Sequence, residues 1–271
     1  MNRFQNQESL IMTSPIKKQI ALVLSGGGVK GYAHIGLLKA LEENGIYPNI
    51  ASGTSFGAII GAYYCASYTA DETFEILKNA KFIDPFSLTI KKAGIINIEK
   101  LTEFYSKDFS KDSFESLDRK LYITSSVMNT NQPMIHETGD LIRKVLASAS
   151  FPGVYAPVNI DGQFHMDGGI TCNFPTEPVE NLDAIKIGSY VCYVGDRESR
   201  KLNSTLRMLV RSSQMMLWHM SQPKFHKMDY MFCPKELTNI GFFDGRKIQE
   251  AYDIGYRFAC ENMEDILRVV V

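Results

Sequence analysis

Apolar residues along this chain gather into short continuous runs separated by stretches with a helical period. The runs Gln19–Leu24 (QIALVL), 120–127 (KLYITSSV), 186–194 (KIGSYVCYV) and 227–233 (KMDYMFC) have the length and continuity of strands buried on both faces of a sheet. Between them, Ala33, Leu37, Ala40 and Leu41 share one helical face while Lys39, Glu42 and Glu43 share the other, with Asn44-Gly45 as a stop. A second helix is predicted in TGDLIRKVLASAS, where Leu141, Ile142, Val145, Leu146 and Ala149 repeat at helical spacing behind a Thr138 or Asp140 cap. Two longer helices are expected over about 202–220 and 246–268. Alternation of strand and helix predicts a layered α/β fold.

Two stretches fall outside this rhythm. Residues 1–17 are polar and aperiodic and read as a flexible leader, with one folded domain expected over 18–271. The stretch from about 80 to 98 (AKFIDPFSLTIKKAGIIN at 80–97) is broken by Pro85 and Gly94, and its apolar residues flank Lys91-Lys92. That stretch suits a membrane contact or a pocket lid, and the plainer reading is a core-packed connection. The Met-rich run MLVRSSQMMLWHM at 208–220 similarly suits either core packing or a flexible acyl-binding wall.

Composition narrows the function classes. The 271 residues are 45% hydrophobic and 22% charged with a formal net charge of -1, which leaves no electrostatic footprint for nucleic acid. Five scattered cysteines form no Cys-x-x-Cys pair, so neither a zinc site nor a disulfide framework is expected, and no metal or cofactor is called for. No signal-peptide pattern opens the chain, and no apolar run approaches the roughly 20 residues that span a bilayer. A cytoplasmic location is expected. The composition leaves the oligomeric state open.

The chemistry-bearing motifs lie at the ends of predicted strands. SGGGVKG, Ser25 to Gly31, follows the first apolar run and precedes a helix, the setting of an anion cradle. GTSFG, Gly53 to Gly57, is a Gly-x-Ser-x-Gly between a short strand (NIAS) and a helix apolar almost all round. Small flanking residues there allow a strained turn that exposes the Ser55 hydroxyl, with the helix N-terminus favouring negative charge beside it. An isolated match of this kind favours a plain tight turn, and the strand and helix on either side bring the two readings level. A base must come from elsewhere: Asp167 ends an apparent strand, and Gly168-Gly169 leave its carboxylate unobstructed, although Asp-Gly is also a common turn.

Together, SGGGVKGYAHIG, GTSFG and MDGGITCNFP, in that order, resemble the patatin-like phospholipases, and ASASFPGVYAPV at 147–158 resembles a further segment of that family. The resemblance spans about 19–175. It implies a three-layer α/β/α fold with a mainly parallel central sheet and a Ser-Asp dyad acting on lipid acyl esters, with peripheral membrane contact in view of the substrate. Carried across, Ser55 is the nucleophile, Asp167 its general base, and the N–H groups around Gly26, Gly27 and Gly28 the oxyanion hole. Gly31, Gly53, Gly57, Gly168 and Gly169 support these motifs, and Asn173 and Pro175 take a packing role. Lys30 stands where many members carry Arg. A free aspartate with a pKa of about 3.9 is a weak base at neutral pH, so preorganised donors would have to carry much of the catalysis. The rival readings are a Ser-His-Asp esterase using His219 or His226, a nucleotide-binding loop and a catalytically silent regulatory protein. His34, His136 and His165 are read as packing or surface residues.

Overall fold

The computed structural model describes residues 18–80, 98–196 and 205–271. The expected leader and the 80–98 stretch, apart from its two end residues, lie outside these. Eight strands form one sheet: β1 (Gln19–Leu24), β2 (Ile50–Thr54), β3 (Lys120–Val127), β4 (Gln132–His136), β5 (Val158–Ile160), β6 (Gln163–Asp167), β7 (Ala184–Ser189) and β8 (Tyr230–Phe232). Their order is β5-β6-β3-β2-β1-β7-β8, with β4 also on β3. The pairs β3–β2, β2–β1, β1–β7 and β7–β8 are parallel, whereas β4, β5 and β6 pair antiparallel. Ile20 to Leu24 are fully buried, as expected of a central strand covered on both faces.

The helices are α1 (Tyr32–Glu43), α2 (Phe56–Cys65), α3 (Ala70–Asn79), α4 (Ile98–Asp108), α5 (Leu141–Ser148), α6 (Thr205–Ser221), α7 (Ile248–Glu261) and α8 (Met263–Val270). All ten residues of α2 are buried, consistent with its all-round apolar sequence. The expected helix over 246–268 divides at Asn262, whose side chain turns back onto the Phe258 carbonyl at 2.8 Å and competes with the helical ladder. Asp140 does occupy the N-cap of α5, but its side chain makes no cap bond; Asp112 accepts the Ile142 N–H at 2.7 Å in its place. The 186–194 run leaves the sheet after Ser189, so strand β7 begins two residues before the expected span and ends five residues short of its end.

Two features of the topology place the site. Strand order reverses beside β1, because the chain runs β1, β2, β3 in one direction and returns to add β7 on β1's other edge. Such a switch point opens a crevice at the carboxyl ends of the strands, where the glycine loop after Leu24 lies. The second feature is the division of β3's edges. Ser125 to Val127 pair with both β4 and β6, while Ile123 and Thr124 pair with both β4 and β2. β2 and β6 therefore share one edge of β3 and meet end to end, Thr54 opposite Thr124 and Asp167 opposite Ser125. This register brings residues 55 and 167 together.

Candidate active site

Ser55 stands in the turn between β2 and α2 with φ 54° and ψ -124°, a conformation that costs a non-glycine residue roughly 1–3 kcal/mol. Gly57 allows the turn to be this tight. A Cβ there would lie 2.5 Å from the Leu24 carbonyl oxygen and 2.5 Å is the distance from a Cβ on Gly53 to the Gly57 carbonyl oxygen. The strained turn aims the Ser55 hydroxyl at β6, where it donates to Asp167 Oδ2 at 2.6 Å.

Asp167 is almost fully buried, with its other oxygen accepting the Gly169 N–H at 2.8 Å. Burial raises its pKa from 3.8 to about 6, against the lowering effect of the Ser55 and Gly169 hydrogen bonds. Gly168 fits against β3 where any Cβ would meet the Thr124 carbonyl oxygen at 2.1 Å. The following segment is laced to β2: Thr54 Oγ1 donates to the Cys172 carbonyl at 2.9 Å and Ser52 Oγ to the Pro175 carbonyl at 2.7 Å. Asn173 does more than pack, since its carbonyl accepts the Gly26 N–H at 3.1 Å and so ties the Asp167 loop to the glycine loop.

That bond changes the expected donor set. The Gly26 amide is committed to Asn173 and the Val29 amide to the Phe242 carbonyl, at 2.9 Å. Gly27 and Gly28 are the loop residues whose amides have no acceptor among the described residues, and both line the same cavity as Ser55 and Asp167. Gly31 lies under Phe56, where a Cβ would come 2.4 Å from the ring. Lys30 is buried, with Nζ 5.5 Å from the centre of the Phe242 ring, so its charge is held inside the loop and packed on an aromatic face.

The cavity has a volume of about 700 Å³. Its walls are largely apolar: Phe56 and Ile59 from α2, Leu101 and Tyr105 from α4, and Phe151, Phe242 and Phe243 from loops. Met216, Leu217 and Met220 of α6 close one side. The Met-rich run divides between the two expected roles: Trp218 packs against the core, while Met216, Leu217 and Met220 face the cavity. Of its hydrophobic residues, Met208, Leu209, Val210, Met215 and Met216 are exposed.

None of the five histidines meets the Ser55 hydroxyl. His219 and His226 are exposed and do not line the cavity. His34 is buried between Ser189 Oγ and the Ser25 carbonyl, and burial lowers its pKa to about 4. His136 and His165 share the Ser125 hydroxyl at 2.7 and 2.8 Å. Among the described residues, no group of three or more His, Cys, Asp or Glu side chains is placed to hold a metal ion.

A model of the patatin-like phospholipases matches residues 22–179, more than half of the chain and the span holding every motif above. The chain belongs to this family. It is 33% identical over 193 residues, 68% of its length, to patatin-like phospholipase domain-containing protein ZK370.4 of Caenorhabditis elegans, covering 14% of that protein. With lysophospholipase NTE1 of Pyricularia oryzae it shares 30% identity over 185 residues, 64% of this chain and 12% of the relative. It therefore spans about an eighth of the length of these relatives. The fold is also that of VipD from Legionella pneumophila, with a TM-score of 0.53 at 15% identity over 93% of this chain and 67% of VipD. Patatin-like phospholipases are lipid-hydrolysing enzymes, which accords with an apolar cavity floored by a serine and a carboxylate.

Sequence reading left part of this site without a role. Ser148 and Ser150 reach residues 55 and 167 from the end of α5. The signal for them was the family-like segment ASASFPGVYAPV. Phe242 and Phe243, more than 200 residues from the glycine loop, carried none.

Proposed function

We propose that this chain is a serine lipid acyl hydrolase working through a Ser55–Asp167 dyad. The observation that carries this reading is the 2.6 Å hydrogen bond from Ser55 to a buried Asp167 at the floor of an apolar cavity. Ser55 Oγ attacks the carbonyl carbon of a fatty acyl ester as its proton passes to Asp167 Oδ2. The oxyanion is received by the Gly27 and Gly28 N–H groups, with the α2 N-terminus adding favourable potential. Collapse of the tetrahedral intermediate breaks the bond to the alcohol oxygen, which takes the proton from Asp167. Asp167 then accepts a proton from water as that water attacks the acyl-enzyme, and returns it to Ser55 Oγ as the second tetrahedral intermediate collapses and the fatty acid is released. The scheme uses a carboxylate alone as base, and the pKa of about 6 supports that use near neutral pH.

Substrates of one or two acyl chains, lysophospholipid or phospholipid, suit the apolar walls; the name of the Pyricularia relative favours the lysophospholipid. Treatment with a fluorophosphonate is expected to label one residue, mapped by mass spectrometry to Ser55, and Ser55→Ala is expected to lose both label and esterase activity. Labelling elsewhere, or full activity in Ser55→Ala, would overturn the assignment.

The substrate resides in membranes, and the cavity rim supports direct docking there. Met216 and Ile170 line the cavity yet are themselves exposed, and Met208, Leu209 and Val210 extend the apolar surface along α6. No described helix is long and apolar enough to cross a membrane. We infer peripheral contact through this face, in a reducing cytoplasm that suits five free cysteines. Burial of one such side chain in lipid is worth about 1.5–3 kcal/mol. The double substitution Met208→Asp/Leu209→Asp is therefore expected to lower hydrolysis of vesicle lipid about tenfold or more, leaving a soluble p-nitrophenyl ester unaffected. Equal loss on both substrates would count against docking.

A further inference from the structure

The junction where β2 gives way to β6 creates a hydrogen-bonding problem. β2 turns away at Ser55, so the Thr124 carbonyl of β3 and the N–H of Ser55 both lose the ladder partners a continuing strand would supply. One side chain answers both. The Ser148 hydroxyl, fully buried at the end of α5, donates to the Thr124 carbonyl at 2.6 Å and accepts the Ser55 N–H at 2.9 Å. A hydroxyl is suited to this place because it donates one hydrogen bond and accepts another through the same atom. Two residues on, the Ser150 carbonyl accepts the Asp167 N–H at 3.0 Å. A single turn of chain thus holds the backbone amides of both residues whose side chains meet at 2.6 Å.

We propose that Ser148 is a positioning residue: its hydroxyl fixes the strained turn at Ser55 so that Oγ stays aligned with Asp167 and with the Gly27 and Gly28 amides. The inference rests on the reading of Ser55 as nucleophile. Ser148 touches no reacting atom. Its effect runs through the Ser55 main chain, which has φ 54° and would relax toward a commoner conformation without the bond. Relaxation rotates the serine side chain away from the carboxylate, and a displacement of about 1 Å in a reacting group can cost about 100-fold in rate.

The test compares Ser148→Ala, Ser148→Cys and Ser148→Thr with the parent on a p-nitrophenyl acyl ester, with circular dichroism to verify folding. Ser148→Ala and Ser148→Cys are expected to lower kcat about 10- to 100-fold with KM unchanged, and to slow fluorophosphonate labelling of Ser55 by the same factor. Ser148→Thr, which keeps the hydroxyl, is expected to recover most of both. Parent-like kcat in a folded Ser148→Ala would overturn the proposal, as would a rise in KM at constant kcat. If Ser148→Ala does not fold, Ser148→Cys is judged by the same two criteria. Ser55→Ala in the same assay separates the two ideas. Activity retained there sinks the nucleophile reading, whereas an inactive Ser55→Ala beside a parent-like Ser148→Ala sinks the positioning role alone.

Discussion

Asp167→Asn is expected to lose ester hydrolysis by about 1000-fold or more while making the protein more stable above pH 6. The loss follows from chemistry: an amide cannot take the Ser55 proton, and no histidine stands within reach of that hydroxyl. The gain follows from the buried charge. Burial raises the Asp167 pKa from 3.8 to about 6, so folding favours its protonated form. Stability from this group is fully present below the unfolded value near 3.8 and is lost as pH rises through about 6. At pH 8 the ionised carboxylate therefore costs the fold about 3 kcal/mol, from a shift of roughly two units at 1.36 kcal/mol each. Asparagine removes that charge, and its carbonyl oxygen can still accept the Gly169 N–H. Thermal unfolding should accordingly show a higher Tm for Asp167→Asn at pH 8 and a vanishing difference at pH 4. In the parent enzyme, kcat/KM is expected to rise with pH through a midpoint near 6 and level off above 7, as ionisation of the free base requires. A parent-like rate in Asp167→Asn would place the base elsewhere. An unchanged Tm at pH 8 would mean that the carboxylate is better solvated than its burial implies.

This buried base illustrates what the chain's linear pattern contains. Ser55 and Asp167 are legible because each ends a strand in a run of small residues, and small residues at strand ends are a local signal. The carboxylate's basicity is not local. In sequence it stands as an ordinary aspartate and a weak base; it gains strength from walls supplied by distant elements. Strand β1 is equally legible, since a strand buried on both faces is continuously apolar, whereas β2 and β3 carry buried Ser and Thr residues toward their ends and are marked by their small residues and by the motif that follows β2. β4 is not, because Gln132 to Ile135 are exposed and carry no apolar run. α3 has a signal that periodicity alone passes over: Thr69 and Glu72 form a capping box, the Thr-x-x-Glu spacing visible in the sequence. Asn262 marks the opposite limit, since a helical pattern continues through it while its side chain diverts the backbone. The Gly26 amide lies beyond any local pattern, as its acceptor is the carbonyl of Asn173.

The glycine loop makes the same point at larger amplitude. Gly28→Ala is expected to reduce kcat about 100- to 1000-fold, the range found for loss of one oxyanion donor, with the protein still folded. Gly28 has φ +54°, a left-handed conformation that a side chain disfavours. Its space is also closed, since a Cβ would stand 2.3 Å from the Phe242 carbonyl oxygen and 3.1 Å from that carbonyl's carbon. Those contacts are backbone, so no rotamer change relieves them. Either the loop withdraws or the Phe242 segment does. The Val29 N–H bond to the Phe242 carbonyl couples the two, and withdrawal carries the Gly27 and Gly28 amides away from the place where the oxyanion forms. Because Phe242 and Phe243 also line the cavity, a retreat of their segment should raise KM for long acyl esters more than for short ones. Ground-state contacts near the carbonyl persist, so the short-chain KM should stay near the parent value while kcat falls. A Gly28→Ala enzyme with parent-like kcat would remove these amides from the oxyanion site and direct attention to the N–H groups opening α2.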